Sequence, residues 1–434
     1  MSDLSNPTAF TGNEPVTAKK IVVIGGGFAG VNFAQNVAKN KNYQVTLVDK
    51  NNFNYFPPLL YQVSTSFLEP SSISYPFRKL FRKDNIRFRM GEPVKIDPVT
   101  KTIYLKDGEL DYDYLVFASG AKTNFFGNEN IEKNAIPMKT IDDGLRMRNA
   151  LLQTLEEAAI TKDPIERKKL LTIVVAGGGP TGVEVSGMLA EMKNYIFPKD
   201  YPELINKPGG IYIVDGSPAL LGAMSEKTHQ EAYNVLTRLG VKVKLNLHVN
   251  DYVDGKILLS NGEVIESNTL IWAAGITANT FDGIPATSLG PGKRMLTDEH
   301  NKVQGLENIY SIGDACILTT DPYYPKGHPQ IAQVAIQQGK TLANNFIAMA
   351  KGQPLKPFIY FDKGDMAIIG RNKAVVDLFK HKVHFRGIIA LFMWLFIHLI
   401  SLVNYRNKLR TLYNWAVAYI SRDQSFRMIF KSGV

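Results

Sequence analysis

Six residues, Gly25-Gly26-Gly27-Phe28-Ala29-Gly30, constrain this chain more than any other stretch. They follow Ile21-Val22-Val23-Ile24, an unbroken apolar run of the kind a strand needs when both of its faces are covered. Val31 to Lys39 then reads as a helix. In such a strand–turn–helix the first glycine, Gly25, permits the tight turn. Gly27 lets a pyrophosphate approach the backbone, and Gly30 lets helix and strand pack closely. The phosphates then rest on the helix N-terminus. A second apolar strand, Gln44 to Val48, ends at Asp49, 19 residues past Gly30, where a carboxylate accepts hydrogen bonds from a ribose. These spacings predict a dinucleotide site, with Phe28, Ala29 and Lys50 among its further contacts.

The pattern recurs 152 residues later, as Gly177-Gly178-Gly179-Pro180-Thr181-Gly182 behind the apolar run Leu171 to Ala176. Glu184 to Met192 supplies the helix, and the strand Gly210 to Val214 ends at Asp215. Asp215 stands 33 residues past Gly182, more than the usual spacing of about 20. The excess is Lys193 to Pro208, a polar stretch with three prolines that reads as an extended helix end and loop. No basic side chain lies in Gly216-Ser217-Pro218-Ala219, so a free ribose 2′-hydroxyl suits Asp215 and a 2′-phosphate does not. Two dinucleotides in one chain point to FAD on the first loop and NADH on the second. Glu184, read as lying in the first turn of its helix, has two open roles. It is either a carboxylate stabilised by the helix dipole or one near nicotinamide and flavin that relays protons.

Small residues close two further strands, Leu115 to Gly120 (Ala118, Ser119, Gly120) and Ile271 to Gly275 (Ala274, Gly275). Asn308 to Asp314 is a strand ending in Gly-Asp, where an acid in a flavoprotein binds the ribityl chain. Its place after the second loop implies a discontinuous FAD domain with the NADH domain inserted. The expected fold class is therefore α/β, with two Rossmann-like domains. The expected layout is a polar tail over 1–18 and an FAD-binding domain from 19–160 and 281–352. An NADH-binding domain fills 161–280, and a C-terminal quinone-site and membrane-anchoring region fills 353–434.

Cys316 is the single cysteine, which excludes an internal redox disulfide, a cysteine-ligated zinc and an iron–sulfur cluster; no metal is expected. The tail from 1 to 18 has no apolar core and does not read as a secretory signal, which suggests a cytoplasmic setting. Net charge is +10, and Arg371 to Val434 carries 11 Lys/Arg against 2 Asp/Glu. Within that region Gly387 to Val403 is 17 residues without charge, short for a bilayer span and interrupted by His398. Leu409, Leu412, Tyr413, Ala416, Tyr419 and Ile420 recur at helical spacing. Trp394, Trp415, Tyr405, Tyr413 and Tyr419 are expected at headgroup level, with Lys382, Arg386, Arg406, Lys408 and Arg410 facing anionic lipid. Two interfacial amphipathic helices anchoring the chain on one leaflet fit better than a span. A buried core helix at a dimer interface is the alternative. A nucleic-acid partner is not expected, because the basic residues flank apolar segments and form no polar groove.

Four stretches are more specific: Pro57 to Val63, Thr123 to Gly127, Ala332 to Gly339 and Lys363 to Gly370. With both glycine loops and the late Gly-Asp, they make the chain resemble the type II (non-proton-pumping) NADH:quinone oxidoreductases, from Lys20 to the C-terminus. The resemblance implies that the Pro-Leu-Leu-Tyr-Gln loop, with Pro58 and Leu59, lies against the flavin. It implies that Gln333, Val334 and Gln337 belong to the segment lining the quinone site, and it assigns Glu184 and Lys363 to catalysis. One departure is Gly327-His328-Pro329-Gln330-Ile331, less apolar than expected ahead of the glutamines. The implied enzyme holds FAD non-covalently, oxidises NADH and reduces a membrane quinone in a respiratory chain. It is expected as a homodimer, peripheral on the cytoplasmic face of a prokaryotic inner membrane.

Overall fold

The structure, a computed structural model, describes residues 18–421, 423 and 426–430. Apart from Ala18, the polar tail expected over 1–18 lies outside the described residues. By packing, the chain divides into two units. The first comprises the described residues up to Asn52, Pro76–Ala121 and Ala278–Tyr360; the second comprises Phe53–Tyr75, Lys122–Thr277 and the chain from Phe361 onward.

A five-stranded parallel sheet organises the first unit, in the order Ile309–Ser311, Tyr114–Phe117, Lys19–Ile24, Tyr43–Asp49, Ile86–Met90. The central strand buries Ile21 to Ile24 completely, which is why its sequence is apolar without alternation. Its neighbours pair in register, Val23 between Leu47 and Val116. Helices Phe28–Val37 and Ala332–Met349 pack directly on each other. A Cβ on Gly339 would stand 2.5 Å from the Ala29 carbonyl oxygen, so only glycine allows this approach. Phe346 secures the long helix to the sheet, meeting Phe33, Tyr43, Tyr114 and Tyr310 edge-on at centroid distances of 5.0–5.6 Å.

The second unit repeats the device. Its parallel sheet runs Ile136–Pro137, Thr269–Trp272, Thr172–Ala176, Gly210–Asp215, Val241–Leu245. The helix after the second glycine loop is Pro180–Tyr195. A short helical turn at Phe197–Asp200 and another at Pro202–Leu204 take up the extra spacing before Asp215. Because this helix starts at Pro180, Glu184 is its fifth residue and lies in the second turn. That corrects the first-turn placement and weakens the dipole role, which fades beyond the first turn.

An antiparallel sheet of Asp365–Gly370, Lys373–Leu378 and Val383–Arg386 follows, then helices Gly387–Ser401 and Tyr405–Ser421. A Cβ on Gly187 would stand 1.8 Å from the Ile369 carbonyl oxygen, so the Pro180–Tyr195 helix touches this sheet backbone to backbone. Asp377, fully buried, clamps the sheet to the helix Glu226–Arg238. It accepts from Ser225 N at 2.8 Å, Ser225 Oγ and Thr228 Oγ1 at 2.9 Å, and pairs with His384 Nδ1 at 2.8 Å. These bonds hold the Asp377 carboxyl below its usual range despite the opposing effect of burial. The 15-residue helix Gly387–Ser401 is about 22 Å long at ~1.5 Å per residue, short of a ~30 Å hydrocarbon core. Among the described residues no helix is long and apolar enough to cross a membrane.

Candidate functional site

The two glycine loops are built alike. Gly25 N donates to Val48 O and Gly177 N to Val214 O, both at 2.8 Å. Gly25 has φ +103° and Gly177 φ +112°, with the added Cβ 2.3 Å from the Ala118 oxygen in one and 2.4 Å from the Ala273 oxygen in the other. In each loop the last glycine rests on the first: a Cβ on Gly30 or Gly182 would lie 1.9 or 1.8 Å from the carbonyl oxygen of Gly25 or Gly177. The middle glycines, Gly27 and Gly179, have nothing within 4 Å of the added Cβ, leaving open space over an N-terminus of backbone amides. That open cradle fits a pyrophosphate.

Each loop is also closed by the acid singled out at the end of the second strand. Asp49 Oδ2 accepts from Gly26 N at 2.7 Å, and its Oδ1 from Asn51 N at 2.8 Å. Asp215 accepts from Gly178 N and, at 2.6 Å, from Ser217 N. Burial raises the Asp49 carboxyl, opposed by these amide bonds. Lys50, Pro180, Thr181 and Ala274 are exposed, while Phe28 and Pro58 are half-buried and Ala29, Leu59, Ala118 and Val334 are buried. Ser119 O accepts from Asn279 Nδ2 at 2.8 Å, holding the Ala118–Gly120 turn. Gly275 packs against the exposed Phe126 ring, which a Cβ would meet at 2.7 Å.

Sequence reasoning missed Gln338. Its Oε1 accepts from Gly313 N at 2.7 Å and its Nε2 donates to Cys316 Sγ at 3.2 Å, so it fixes the positive-φ turn that presents Asp314. Cys316 is buried and its thiol pushed up to about 11, as suits a packing residue. Gln333 and Gln337 share one half-buried face of the Ala332–Met349 helix, with Gln333 Oε1 accepting from Tyr360 Oη at 3.3 Å. The polar departure ahead of them is structural. His328, 2% exposed, bonds Asp321 at 2.9 Å, and Asp321 also accepts from Tyr360 N and Tyr323 N at 2.9 Å. Burial lowers the His328 pKa, keeping the ring neutral.

In the second unit the helix Pro180–Tyr195 carries Glu184 into the interior, 8% exposed. Its Oε1 accepts weakly from Ile368 N at 3.4 Å. Burial drives the carboxyl up to about 8, so it is protonated at neutral pH; Ile368 N–H and the Trp394 indole pull the other way. Trp394 is fully buried, and its Nε1 has no hydrogen-bond partner of ordinary geometry among the described residues. Tyr61 is also buried, and burial lifts its phenol well above the usual range; the Glu184 carboxylate, when ionised, pushes it the same way. Lys363 is exposed, two residues ahead of the Asp365–Gly370 strand.

The terminal helices correct one expectation and extend another. Trp394 and Trp415 are not at a surface: Trp394 stacks on His398 at 3.7 Å, and Trp415 Nε1 donates to Gln62 Oε1 at 2.8 Å. A buried indole N–H needs a partner, and Gln62 provides it for Trp415. Tyr405, Tyr413 and Tyr419 are exposed as expected. So are Phe392 at 65%, Phe396 at 62% and Ile420 at 83%, which puts the apolar faces outward. His398, its pKa lowered to about 4 by burial, stays neutral in this setting. Between the helices lies an apolar cavity of about 880 Å³ whose walls include Tyr61, Gln62, Met188, Glu191, Phe392 and Trp415.

Residues 19–339 match the pyridine nucleotide-disulphide oxidoreductase family, and residues 363–430 match the NDH2 C-terminal domain. A type II NADH:quinone oxidoreductase, Ndh, from Mycobacterium tuberculosis is 33% identical over 441 residues, covering 97% of this chain and 91% of that protein. A second from the same organism, NdhA, is 34% identical over 421 residues, covering 93% and 87%. Among solved structures, NDH2 from Plasmodium falciparum in complex with NADH superposes with TM-score 0.86 at 24% identity, covering 95% of this chain and all of that one. A sulfide:quinone oxidoreductase from Aquifex aeolicus gives TM-score 0.72 at 19% identity, a likeness of fold.

Proposed function

This chain belongs to the type II NADH:quinone oxidoreductase family, and we propose that it oxidises NADH through a bound FAD and reduces a membrane quinone in a respiratory chain, without pumping protons. The observation that carries the reading is the pair of glycine loops, alike in construction and each closed by a carboxylate. FAD, when bound, takes a hydride from NADH and passes two electrons to the quinone.

The chain's own residues bind, orient and supply protons. The reading assigns Gly25, Gly27, Phe28, Ala29 and Gly30 to the FAD pyrophosphate and Asp49 and Lys50 to its ribose. Pro58, Leu59, Ala118, Ser119, Gly120, Asp314, Gln333 and Val334 complete the FAD contacts. Gly177, Gly179, Pro180, Thr181, Gly182, Ala274 and Gly275 receive NADH, with Asp215 on the ribose 2′-hydroxyl. Gln333, Gln337 and Lys363 orient the quinone, and the apolar cavity suits its tail. Glu184, protonated at neutral pH, is the acid that delivers a proton to the reduced quinone.

Under this reading the 353–434 region anchors a homodimer peripherally, on the cytoplasmic face of a prokaryotic inner membrane. The outward apolar faces of Gly387–Ser401 and Tyr405–Ser421 support it, lying in the leaflet rather than across it. The test is steady-state turnover with NADH and NADPH against ubiquinone and menaquinone analogues. Quinone-dependent oxidation with NADH preferred is expected; equal or better kcat/KM with NADPH would overturn the role of Asp215.

A further inference from the structure

The terminal helix Tyr405–Ser421 has its polarity inverted. Its inward face carries Asn407, Thr411 and Trp415, spaced four apart and all buried, while Leu409, Leu412, Tyr413 and Ile420 are exposed. Each inward residue donates one hydrogen bond to the segment 62–74. Asn407 Nδ2 reaches Ser74 O at 2.9 Å, Thr411 Oγ1 reaches Ser72 O at 3.4 Å, and Trp415 Nε1 reaches Gln62 Oε1 at 2.8 Å. The first two bonds end on backbone and dock the helix. The third ends on a side chain that continues the chain: Gln62 Nε2 donates to Tyr61 Oη at 3.0 Å.

The direction of this relay is dictated by chemistry. An indole N–H only donates, so Gln62 must turn its oxygen toward Trp415 and its NH₂ toward Tyr61. Tyr61 Oη is thereby an acceptor from Gln62, and its own proton is left to point elsewhere. Without the indole N–H the amide is free to flip, which would make Tyr61 the donor to Gln62 and withdraw that proton. Tyr61 and Gln62 both line the apolar cavity.

We infer that Trp415 is a positioning residue for quinone reduction, acting through Gln62 to hold the Tyr61 hydroxyl proton available at the cavity. The inference rests on the quinone head reaching Tyr61 through the cavity that takes its tail, and it ties the membrane-facing helix to the chemistry by one side-chain relay.

The experiment uses the full-length, FAD-loaded protein in detergent. Rapid mixing follows flavin reduction by NADH and re-oxidation by a soluble quinone separately, with steady-state quinone KM and kcat alongside. Trp415→Phe keeps the ring and loses only the N–H. It should slow re-oxidation and lower the quinone kcat about tenfold, the size of one hydrogen bond, while flavin reduction keeps its rate. Thr411→Val breaks a docking bond of the same stripe and should leave both phases at the wild-type rate. Gln62→Met keeps the side-chain length but has no N–H for Tyr61, so it should reproduce the Trp415→Phe loss, and combining the two should add nothing further. Re-oxidation in Trp415→Phe no slower than in Thr411→Val, or losses that multiply in the double variant, would overturn the inference. A wild-type protein that quinone does not re-oxidise would instead overturn the parent reading.

Discussion

Glu184→Gln separates the consequences of a buried proton from those of its surroundings. Burial raises the carboxyl from its ordinary 4.5 to about 8. At ~1.36 kcal/mol per tenfold, ionising Glu184 in place therefore costs about 5 kcal/mol more than ionising it in the unfolded chain. The native state holds the proton more tightly, so this contribution to stability is complete below about pH 4.5 and is lost as pH rises toward 8. Glutamine has nearly the same shape and no proton to lose, so the variant lacks this slope. Compared with pH 5, the wild type should lose roughly 3 kcal/mol against Glu184→Gln by neutral pH and somewhat more by pH 9. Denaturant midpoints of both proteins across pH 5–9 measure the difference. The kinetic arm is quinone reduction: in the wild type it should fall above about pH 8 as the acid deprotonates. In the variant it should be lower by about 10²-fold and flat across the same range. Parallel stability curves would refute the reasoning, since they would mean that Glu184 is solvated or already ionised at neutral pH.

Glycine substitutions test which loop holds which nucleotide. A Cβ on Gly30 would land 1.9 Å from the Gly25 oxygen, so Gly30→Ala should purify with little bound FAD, read from its visible absorbance. Gly182→Ala makes the equivalent clash with Gly177 at 1.8 Å; it should keep its FAD while the KM for NADH rises about tenfold or more, from ~1–3 kcal/mol of strain. Replacing the exposed Phe392 and Phe396 together with Asp should release the protein from vesicles on flotation while leaving its fold intact by circular dichroism. Asp377→Ala strands Ser225, Thr228 and His384 and should lower unfolding stability by about 2–4 kcal/mol, measured by denaturant titration.

The construction of the two glycine loops was legible because backbone geometry dictates it. Gly25, Gly30, Gly177 and Gly182 stand where a side chain would strike a carbonyl, and such positions leave a mark in sequence. The buried strands announced themselves as unbroken apolar runs for the same local reason. What stayed hidden depends on partners far away in the chain. Gln338 looks like its neighbours Gln333 and Gln337 until Gly313 and Cys316 arrive beside it. Trp415 has the composition of a headgroup anchor, and only Gln62, 353 positions earlier, turns it inward. Glu184 moved from the first helical turn to the second because Pro180 starts the helix, as its fixed φ favours. The segment 53–75 packs with the second unit although it stands nearer the first glycine loop in sequence. Spacing along the chain does not report such pairing.

The central claim is that a flavin bound by this chain links NADH to quinone. It is tested most directly by mixing the purified, yellow protein with one equivalent of NADH without oxygen, then adding a soluble quinone. The account predicts bleaching of the flavin absorbance by NADH and its full return on quinone addition. Bleaching that persists in the presence of quinone, or no bleaching at all, would contradict it.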